Sequence, residues 1–338
     1  KDPHVLDAVF RQVLPAVDTP HDISPFTGEL PELGPGDVLL GMGGAILDAI
    51  KGSGAFPTVK KNSSLNSLRG KPLAWTEGQL LLTYDPFMAT KDPKMEPEIV
   101  WDLRLACRLH DTGSTVPPLG EYRWVDHFDD LIQRVVEAHA KTGRAVPVSP
   151  DLETIGLDWL HPGDEERPAA RILTISFSVT PGFSDVYRVP VDGMPSELVL
   201  RQIHWLLTSP RVNSVGANLK FDSNWIAHHW GITISNQRAD TMLIGSLLNE
   251  NVSNSLELHA KTFTPLGGYD AEFNAKVDKS RMDLALDADP DSFLIYAGGD
   301  TDACLRTYHA MRPRLLKDKR LSAFYTRLLQ PSAKVFAK

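Results

Sequence analysis

The sequence predicts an α/β protein in which a mixed β-sheet is flanked by helices, preceded by a smaller α/β domain. Three observations support this prediction. Short β-rich runs recur between residues 145 and 219, mostly helical patterns follow them, and a Pro- and Gly-containing stretch at 111–125 separates them from an earlier strand–helix pattern. The 338 residues are enough for about two domains.

The first predicted domain covers residues 1–110. A buried strand over 38–42 is followed by two glycines and an amphipathic helix, and a second short strand covers 80–83. Apolar residues at helical spacing predict another helix over 96–109. Residues 111–125 then form the predicted linker.

The second predicted domain covers residues 126–330 and begins with a helix that Gly143 ends. The first three of its predicted strands are expected to form a meander. The strands cover 145–152, 172–179, 185–191 and 214–219, and the helices between them cover 196–207 and 222–229. From residue 240 the pattern is mostly helical, with a longer loop at 267–289.

Composition excludes several classes of protein. Two cysteines, Cys107 and Cys304, are too few for a disulfide scaffold, a zinc ribbon or a four-cysteine iron–sulfur site, and this usage fits a reducing cytoplasm. The net charge of −8 argues against a protein that coats nucleic acid through bulk charge. The longest apolar stretch, near residues 38–50, is too short to span a bilayer, so we expect no membrane partner.

Three short motifs place acidic residues where the predicted elements can bring them together. Asp151 and Glu153 end a strand, and residues two apart on a strand share a face. Asp222 lies at a strand-to-helix turn. Tyr296 and Asp300 are four residues apart on a helix and also share a face. Each spacing recurs elsewhere in the chain, so the prediction depends on the order, separation and context of the three motifs.

Four carboxylates gathered in one place repel each other unless cations lie between them. Two Mg²⁺ ions about 3.5–4 Å apart can neutralise them and hold both oxygens of an in-line phosphoryl displacement. A tyrosine beside such a site can orient the attacking water. We therefore predict metal-dependent phosphodiester hydrolysis with two Mg²⁺ ions, for which Mn²⁺ substitutes. The alternative is four ordinary acids on the surface or in salt bridges.

Residues 126–329 resemble the proofreading 3′→5′ exonuclease domain of family A (polymerase I-like) DNA polymerases, in the DEDDy group. The motifs of that family are present here as DLETIGL, NLKFD and YAGGDTDACL, and Asp240-Thr241-Met242 keeps its spacing. The resemblance implies a ribonuclease H-like exonuclease fold. It also implies the release of nucleoside monophosphates from a DNA 3′ end, as the proofreading part of a replicative polymerase.

The resemblance also implies a role for individual residues. Asp151 would bridge both metals, and Glu153 and Asp300 would complete the tighter metal site. Asp222 would hold the second metal, partly through water, and Tyr296 would position the nucleophilic water. The residues implied to contact the substrate strand are Thr154, Leu157, Asn218 and Lys220. For Leu157 there are two interpretations, a wedge against the terminal base and ordinary packing in the core. Lys220 is also consistent with an ordinary lysine exposed to solvent.

The acids alone do not fix the sugar of the substrate, because ribonuclease D-like enzymes share them. Gly156 and Leu157 in the first motif favour DNA as the substrate. Residues 324–331 favour it too, because they resemble the segment that precedes the polymerase domain in family A polymerases. Residues 331–338 are therefore either part of the segment that leads into a polymerase domain or a tail. The expected partners are a single-stranded DNA 3′ end or primer–template and a polymerase domain in cis or in trans. A non-enzymatic DNA-holding scaffold and an RNase D-like ribonuclease are the alternatives.

Residues 37–110 resemble the C-terminal half of a family 4/5 uracil-DNA glycosylase. The residues that carry this resemblance are 39–44, 68–71 and 82–86. Asp85 stands where that family has a histidine that stabilises a developing anion, and a carboxylate has the wrong sign for this role. We therefore predict a degenerate, catalytically inactive domain. Such domains precede polymerases in some phages, so we expect a phage protein located in the host-cell cytoplasm.

Overall fold

The computed structural model describes residues 26–165 and 168–335. These residues fall into two compact units, and the chain passes from the first to the second between Pro117 and Pro118. Residues 1–25 of the predicted first domain and 336–338 of the predicted tail lie outside the described residues. Within the described part of the chain, no helix combines the length and apolar character needed to cross a bilayer.

The first unit contains a three-stranded sheet in the order β1-β3-β2, with β1 parallel and β2 antiparallel to β3. The strands are β1 (Val38–Met42), β2 (Leu73–Trp75) and β3 (Gly78–Thr83). The helices are α1 (Gly44–Ser53), α2 (Leu65–Leu68), α3 (Met88–Lys91) and α4 (Met95–Thr112). Both predicted strands and both predicted helices are confirmed, whereas β2 was not predicted.

A buried ion pair stabilises this first unit. Nε of Arg69 donates to Asp102 of α4 at 2.7 Å, and the hydroxyl of Thr83 donates to the same carboxylate at 2.6 Å. Burial raises the pKa of Asp102, and the guanidinium opposes this effect. Because each partner of a buried pair satisfies the other, removing either one would leave an uncompensated charge in the core.

The second unit is built on a mixed sheet whose order is β4-β7-β6-β5-β8-β9. Its strands are β4 (Glu121–Trp124), β5 (Val146–Thr154), β6 (Ile172–Thr180), β7 (Phe183–Arg188), β8 (Val212–Gly216) and β9 (Gln237–Asp240). The strands β5, β6 and β7 form the predicted antiparallel meander, and the pairs β4–β7, β5–β8 and β8–β9 are parallel. The predicted mixed sheet flanked by helices is confirmed.

Helices cover both sides of this sheet. They are α5 (Asp129–Thr142), α6 (Glu197–Thr208), α7 (Leu219–Trp230), α8 (Thr241–Leu248), α9 (Leu256–Phe263), α10 (Ala271–Lys276), α11 (Met282–Ala288), α12 (Pro290–Lys317), α13 (Lys319–Phe324) and α14 (Gln330–Val335). A 3₁₀ turn, Lys279–Arg281, precedes α11, and a π-helical turn, Tyr325–Leu329, precedes α14. Phe128, Phe177 and Ile203 belong to the core that joins the sheet to α5, α6 and α7.

The long helix α12 lies close against the sheet. The hydroxyl of Ser176 donates to the carbonyl of Ala297 at 3.1 Å, and the hydroxyl of Ser184 donates to the carbonyl of Gly298 at 2.7 Å. Small side chains on both surfaces permit this approach. The helix that carries the third motif is thereby fixed beside the central strand β5, which carries the first.

The structure differs from the sequence prediction in two segments. Residues 111–125, predicted as a linker, contain the end of α4 and the strand β4, so the sheet begins before the predicted start at 126. The predicted loop at 267–289 is wrong, because it contains α10 and α11. Helices of six and seven residues are marginal by themselves, and these two are held by the burial of Phe273, Met282 and Leu286 against α12.

Candidate active site

Three of the four predicted acids converge in the second unit. Asp151 and Glu153 lie on β5 and Asp300 lies on α12, and one carboxylate oxygen from each is within 4.8 Å of the others. The two-residue spacing puts both β5 acids on one face, and α12 packs beside that strand. The alternation of the strand and the position of the helix therefore create this acidic cluster.

The fourth predicted acid, Asp222, adjoins the cluster from the first turn of α7. It is 4% exposed and accepts a hydrogen bond from the backbone of Leu152, between the two acids of β5. Its charge contributes to raising the pKa of Asp151, after burial and the charges of Asp300 and Glu153. All four acids therefore act on one another electrostatically.

Burial and mutual repulsion both disfavour the ionised form of these acids. Burial is the largest cause that raises the pKa of each, and the values for Asp222 and Asp300 reach about 7. Oε1 of Glu153, a residue 7% exposed, has no hydrogen-bond partner among the described residues. A buried oxygen without a donor costs free energy unless a cation or a proton satisfies it. The cluster therefore fits a bound divalent cation.

Tyr296 lies beside the cluster and donates a hydrogen bond to Asp300. Its ring stacks on Phe273 with 4.3 Å between centroids. The negative charges of Asp300 and Glu153, together with burial, raise the pKa of Tyr296 far above its ordinary value of 10.0. The phenol therefore keeps its proton and can act as a hydrogen-bond donor.

Two further residues complete the site, and the sequence interpretation missed both. The hydroxyl of Tyr269 donates to Oδ1 of Asp300. Nζ of Lys279 lies 3.4 Å from the hydroxyl of Tyr296, and its charge opposes the burial that raises the pKa of Glu153. Both residues lie in the segment of short helices between α9 and α12, where no regular spacing relates them to the acids.

The two glycines of the third motif permit the close packing of tyrosine rings against α12. A Cβ atom on Gly299 would lie 2.5 Å from the ring of Tyr269, and one on Gly298 would lie 2.8 Å from the side chain of Tyr122. Glycine inside a helix costs about 0.5–1 kcal/mol relative to alanine, so two in succession indicate a packing requirement. The glycine pair is the signal that could have identified Tyr269.

The predicted substrate residues lie at the end of β5, in the turn that follows it, and at the start of α7. The hydroxyl of Thr154 donates to the carbonyl of Gly156 at 2.8 Å and so holds the turn after β5. Leu157 is 82% exposed, which excludes the core-packing alternative for this residue. Asn218 and Lys220 are exposed around the start of the helix that carries Asp222.

Comparison of the sequence with known protein families identifies an exonuclease domain. Residues 122–316 match the sequence model of the 3′-5′ exonuclease family of the DNA polymerase A type. The DNA polymerase of Escherichia phage T5 is 29% identical over 150 residues, which are 40% of this chain and 18% of the polymerase. The matched segment thus spans less than a fifth of that polymerase.

Similar solved structures include Brucella melitensis NrnC bound to pGG, which is 18% identical to this chain. The match covers 63% of this chain and 88% of that chain, with a TM-score of 0.43. A Trypanosoma brucei RNase D:GMP complex is 15% identical over 64% of each chain, with a TM-score of 0.44.

The residues matched by the family model make up more than half of the chain and contain the four acids and Tyr296. The chain belongs to the 3′-5′ exonuclease family of the DNA polymerase A type.

Proposed function

We propose that this exonuclease acts on DNA and serves as the metal-dependent proofreading part of a family A replicative polymerase. It would release nucleoside monophosphates from a frayed 3′ end. The observation that carries the proposal is the meeting of Asp151, Glu153 and Asp300 within 4.8 Å, with a buried oxygen of Glu153 that has no donor among the described residues. The partial match to a phage DNA polymerase supports DNA as the substrate.

The acids would hold two Mg²⁺ ions, with Mn²⁺ as a substitute. Asp151, Glu153 and Asp300 would hold one ion, and Asp222, together with Asp151, would hold the other, because carboxylate oxygens are the ligands that Mg²⁺ prefers. When bound, the ions would supply the positive charge that stabilises an in-line displacement at phosphorus and activates water.

The surrounding side chains would orient the reactants. The neutral phenol of Tyr296 would hold the attacking water by a hydrogen bond, and Tyr269 would keep Asp300 in one orientation. The ammonium group of Lys279 would add positive charge beside the phenol, where the phosphate arrives. These roles agree with the raised pKa of Tyr296, which the charges of Asp300 and Glu153 cause together with burial.

The exposed leucine next to the acids supports a single-stranded substrate. Leu157 presents an apolar side chain to solvent, and apolar or aromatic side chains can pack against an unpaired base. Thr154 would fix the turn that presents it, while Asn218 and Lys220 would contact the strand from the start of α7. A polymerase domain in cis or in trans would deliver the frayed primer end.

The proposal is tested with 5′-labelled single-stranded DNA and with RNA of the same sequence, each with and without Mg²⁺ or Mn²⁺. We expect metal-dependent shortening of the DNA from its 3′ end, abolished in Asp151→Ala/Glu153→Ala. The matched control is Glu121→Ala/Glu137→Ala, which removes two exposed carboxylates and should leave the rate unchanged. Faster degradation of the RNA would favour a ribonuclease, and binding without degradation would favour a scaffold.

For the first unit we propose a degenerate glycosylase-like domain without activity, ending near residue 110. Oδ1 of Asp85 accepts the N–H of Phe87 at 2.9 Å, so the carboxylate has a role in the loop after β3. A negative charge there opposes the stabilisation of a uracil anion. Incubation with a uracil-containing duplex should yield no abasic sites, and abasic product would contradict this interpretation.

A further inference from the structure

The first turn of α7, which carries Asp222, follows a residue in the left-handed backbone conformation. Asn218 precedes the helix with φ 62° and ψ 43°, a region that glycine adopts freely and that asparagine adopts more readily than most other residues. The side chain of Asn218 makes no capping hydrogen bond to the helix. The turn therefore needs support from outside the helix.

The carboxylate of Asp240 supplies this support. Oδ1 accepts the N–H of Asn218 at 3.2 Å and that of Met242 at 3.0 Å, and Oδ2 accepts the N–H of Leu219 at 3.0 Å. Asp240 is 5% exposed, so its carboxylate depends on these backbone donors. Its charge lies at the N-termini of both α7 and α8, where helix dipoles stabilise a carboxylate.

Asp240 ends β9, an edge strand of four residues, and two side chains from the C-terminal helices hold both ends of this strand. The hydroxyl of Tyr325 accepts the N–H of Asp240 at 2.9 Å, and Nε2 of Gln330 donates to the carbonyl of Gln237 at 2.7 Å. An edge strand lacks a neighbouring strand on its outer side. Tyr325 is 4% exposed and begins the π-helical turn, an uncommon conformation often found at functional positions.

We propose that Asp240 and Tyr325 are positioning residues of the exonuclease site. Asp240 fixes the turn that carries Asp222, and Tyr325 fixes Asp240, so the C-terminal helices set the position of the fourth acid relative to the other three. The inference rests on the proposed metal-binding role of Asp222. Without the hydroxyl of Tyr325, the buried N–H of Asp240 loses its acceptor, and the turn at Asn218 is free to relax.

The test compares the full chain with its Tyr325→Phe variant, using Mn²⁺ as the probe. Isothermal titration calorimetry measures Mn²⁺ binding, and a nuclease assay measures the Mn²⁺ concentration for half-maximal rate. We expect about a tenfold weaker second Mn²⁺ site, as is typical when a group that supports a metal ligand is removed. The matched control is Tyr308→Phe, a tyrosine in the same core cluster whose hydroxyl does not bond to Asp240, and it should bind Mn²⁺ normally.

A rescue experiment separates positioning from general loosening. Glycine adopts the left-handed conformation without steric cost, so Asn218→Gly added to Tyr325→Phe should recover part of the Mn²⁺ affinity. If Tyr325→Phe does not fold, Asp240→Asn is the second variant and should weaken the same site. Unchanged Mn²⁺ binding in the variants, or an equal loss in Tyr308→Phe, would overturn the inference. A wild-type chain that binds no Mn²⁺ would instead contradict the proposed function.

Discussion

Replacement of Asp222 by asparagine should stabilise the metal-free protein, and the gain should increase with pH. Burial is the main cause that raises the pKa of this carboxyl group from 3.8 to about 7 in the folded protein. Between these values the folded state binds a proton that the unfolded state has released. Stability is therefore lost as the pH rises from the lower value through the higher one. Asparagine keeps an oxygen that can accept the N–H of Leu152 but carries no charge.

The size of the effect follows from the two pKa values. Near pH 5 the unfavourable ionisation costs about 2 kcal/mol, and at pH 8 it costs about 4 kcal/mol, from about 1.36 kcal/mol per pKa unit. The difference in the free energy of unfolding between variant and wild type should therefore grow by about 2–3 kcal/mol over this range. In a unit of this size that corresponds to an increase of about 5–10 °C in the difference between their melting temperatures.

Differential scanning calorimetry in EDTA, between pH 5 and pH 8, measures this difference. The control is Glu121→Gln, which makes the same change of charge at an exposed position and should not alter the melting temperature. A variant that is no more stable than the wild type at pH 8 would refute the reasoning. A gain of equal size at both pH values would do so too, because it would not come from ionisation. Saturating Mn²⁺ should remove the advantage of the variant.

Three further predictions concern the rest of the site. Tyr296→Phe should lower kcat about 100-fold, the scale of a lost proton-handling or water-orienting group, and calorimetry should detect little change in Mn²⁺ binding. Lys279→Ala should move the acidic limb of the pH–rate profile to higher pH, because its charge no longer opposes the raised pKa values of the neighbouring acids, whereas Lys276→Ala should not. Gly299→Ala should lower the melting temperature and weaken Mn²⁺ binding, because its Cβ displaces a tyrosine ring that holds Asp300.

The convergence of the acids could be predicted because each motif lies on an element whose period fixes its geometry. Asp151 and Glu153 share a face on any regular strand, and Tyr296 and Asp300 share a face on any regular helix. β5 has nine residues and α12 has 28, so both patterns persist over enough residues to be recognised. Which strand the helix contacts is a tertiary property, and the motif order of a known family supplied that information.

The strands missing from the sequence prediction are β2, β4 and β9, and each lies at the edge of its sheet. They have three or four residues, and much of what stabilises them comes from one neighbouring strand and from side chains such as Tyr325. A run this short carries no recognisable alternation. These strands form because residues distant in the sequence pair with them, which explains why local sequence patterns did not predict them.

Tyr269 was missed for a different reason, although the sequence does contain a signal for it. Two adjacent glycines inside a helix weaken that helix, so their presence between Tyr296 and Asp300 requires a benefit elsewhere. Where a helix turn has only glycines on one side, bulky groups can pack directly against its backbone. In α12 these groups are the rings of Tyr122 and Tyr269. One ring bonds to the Asp302 carboxylate and the other to Asp300, so the glycines bring phenol donors to two acids of one helix. The sequence signal for Tyr269 is therefore the pair of glycines in α12, one of which its ring contacts.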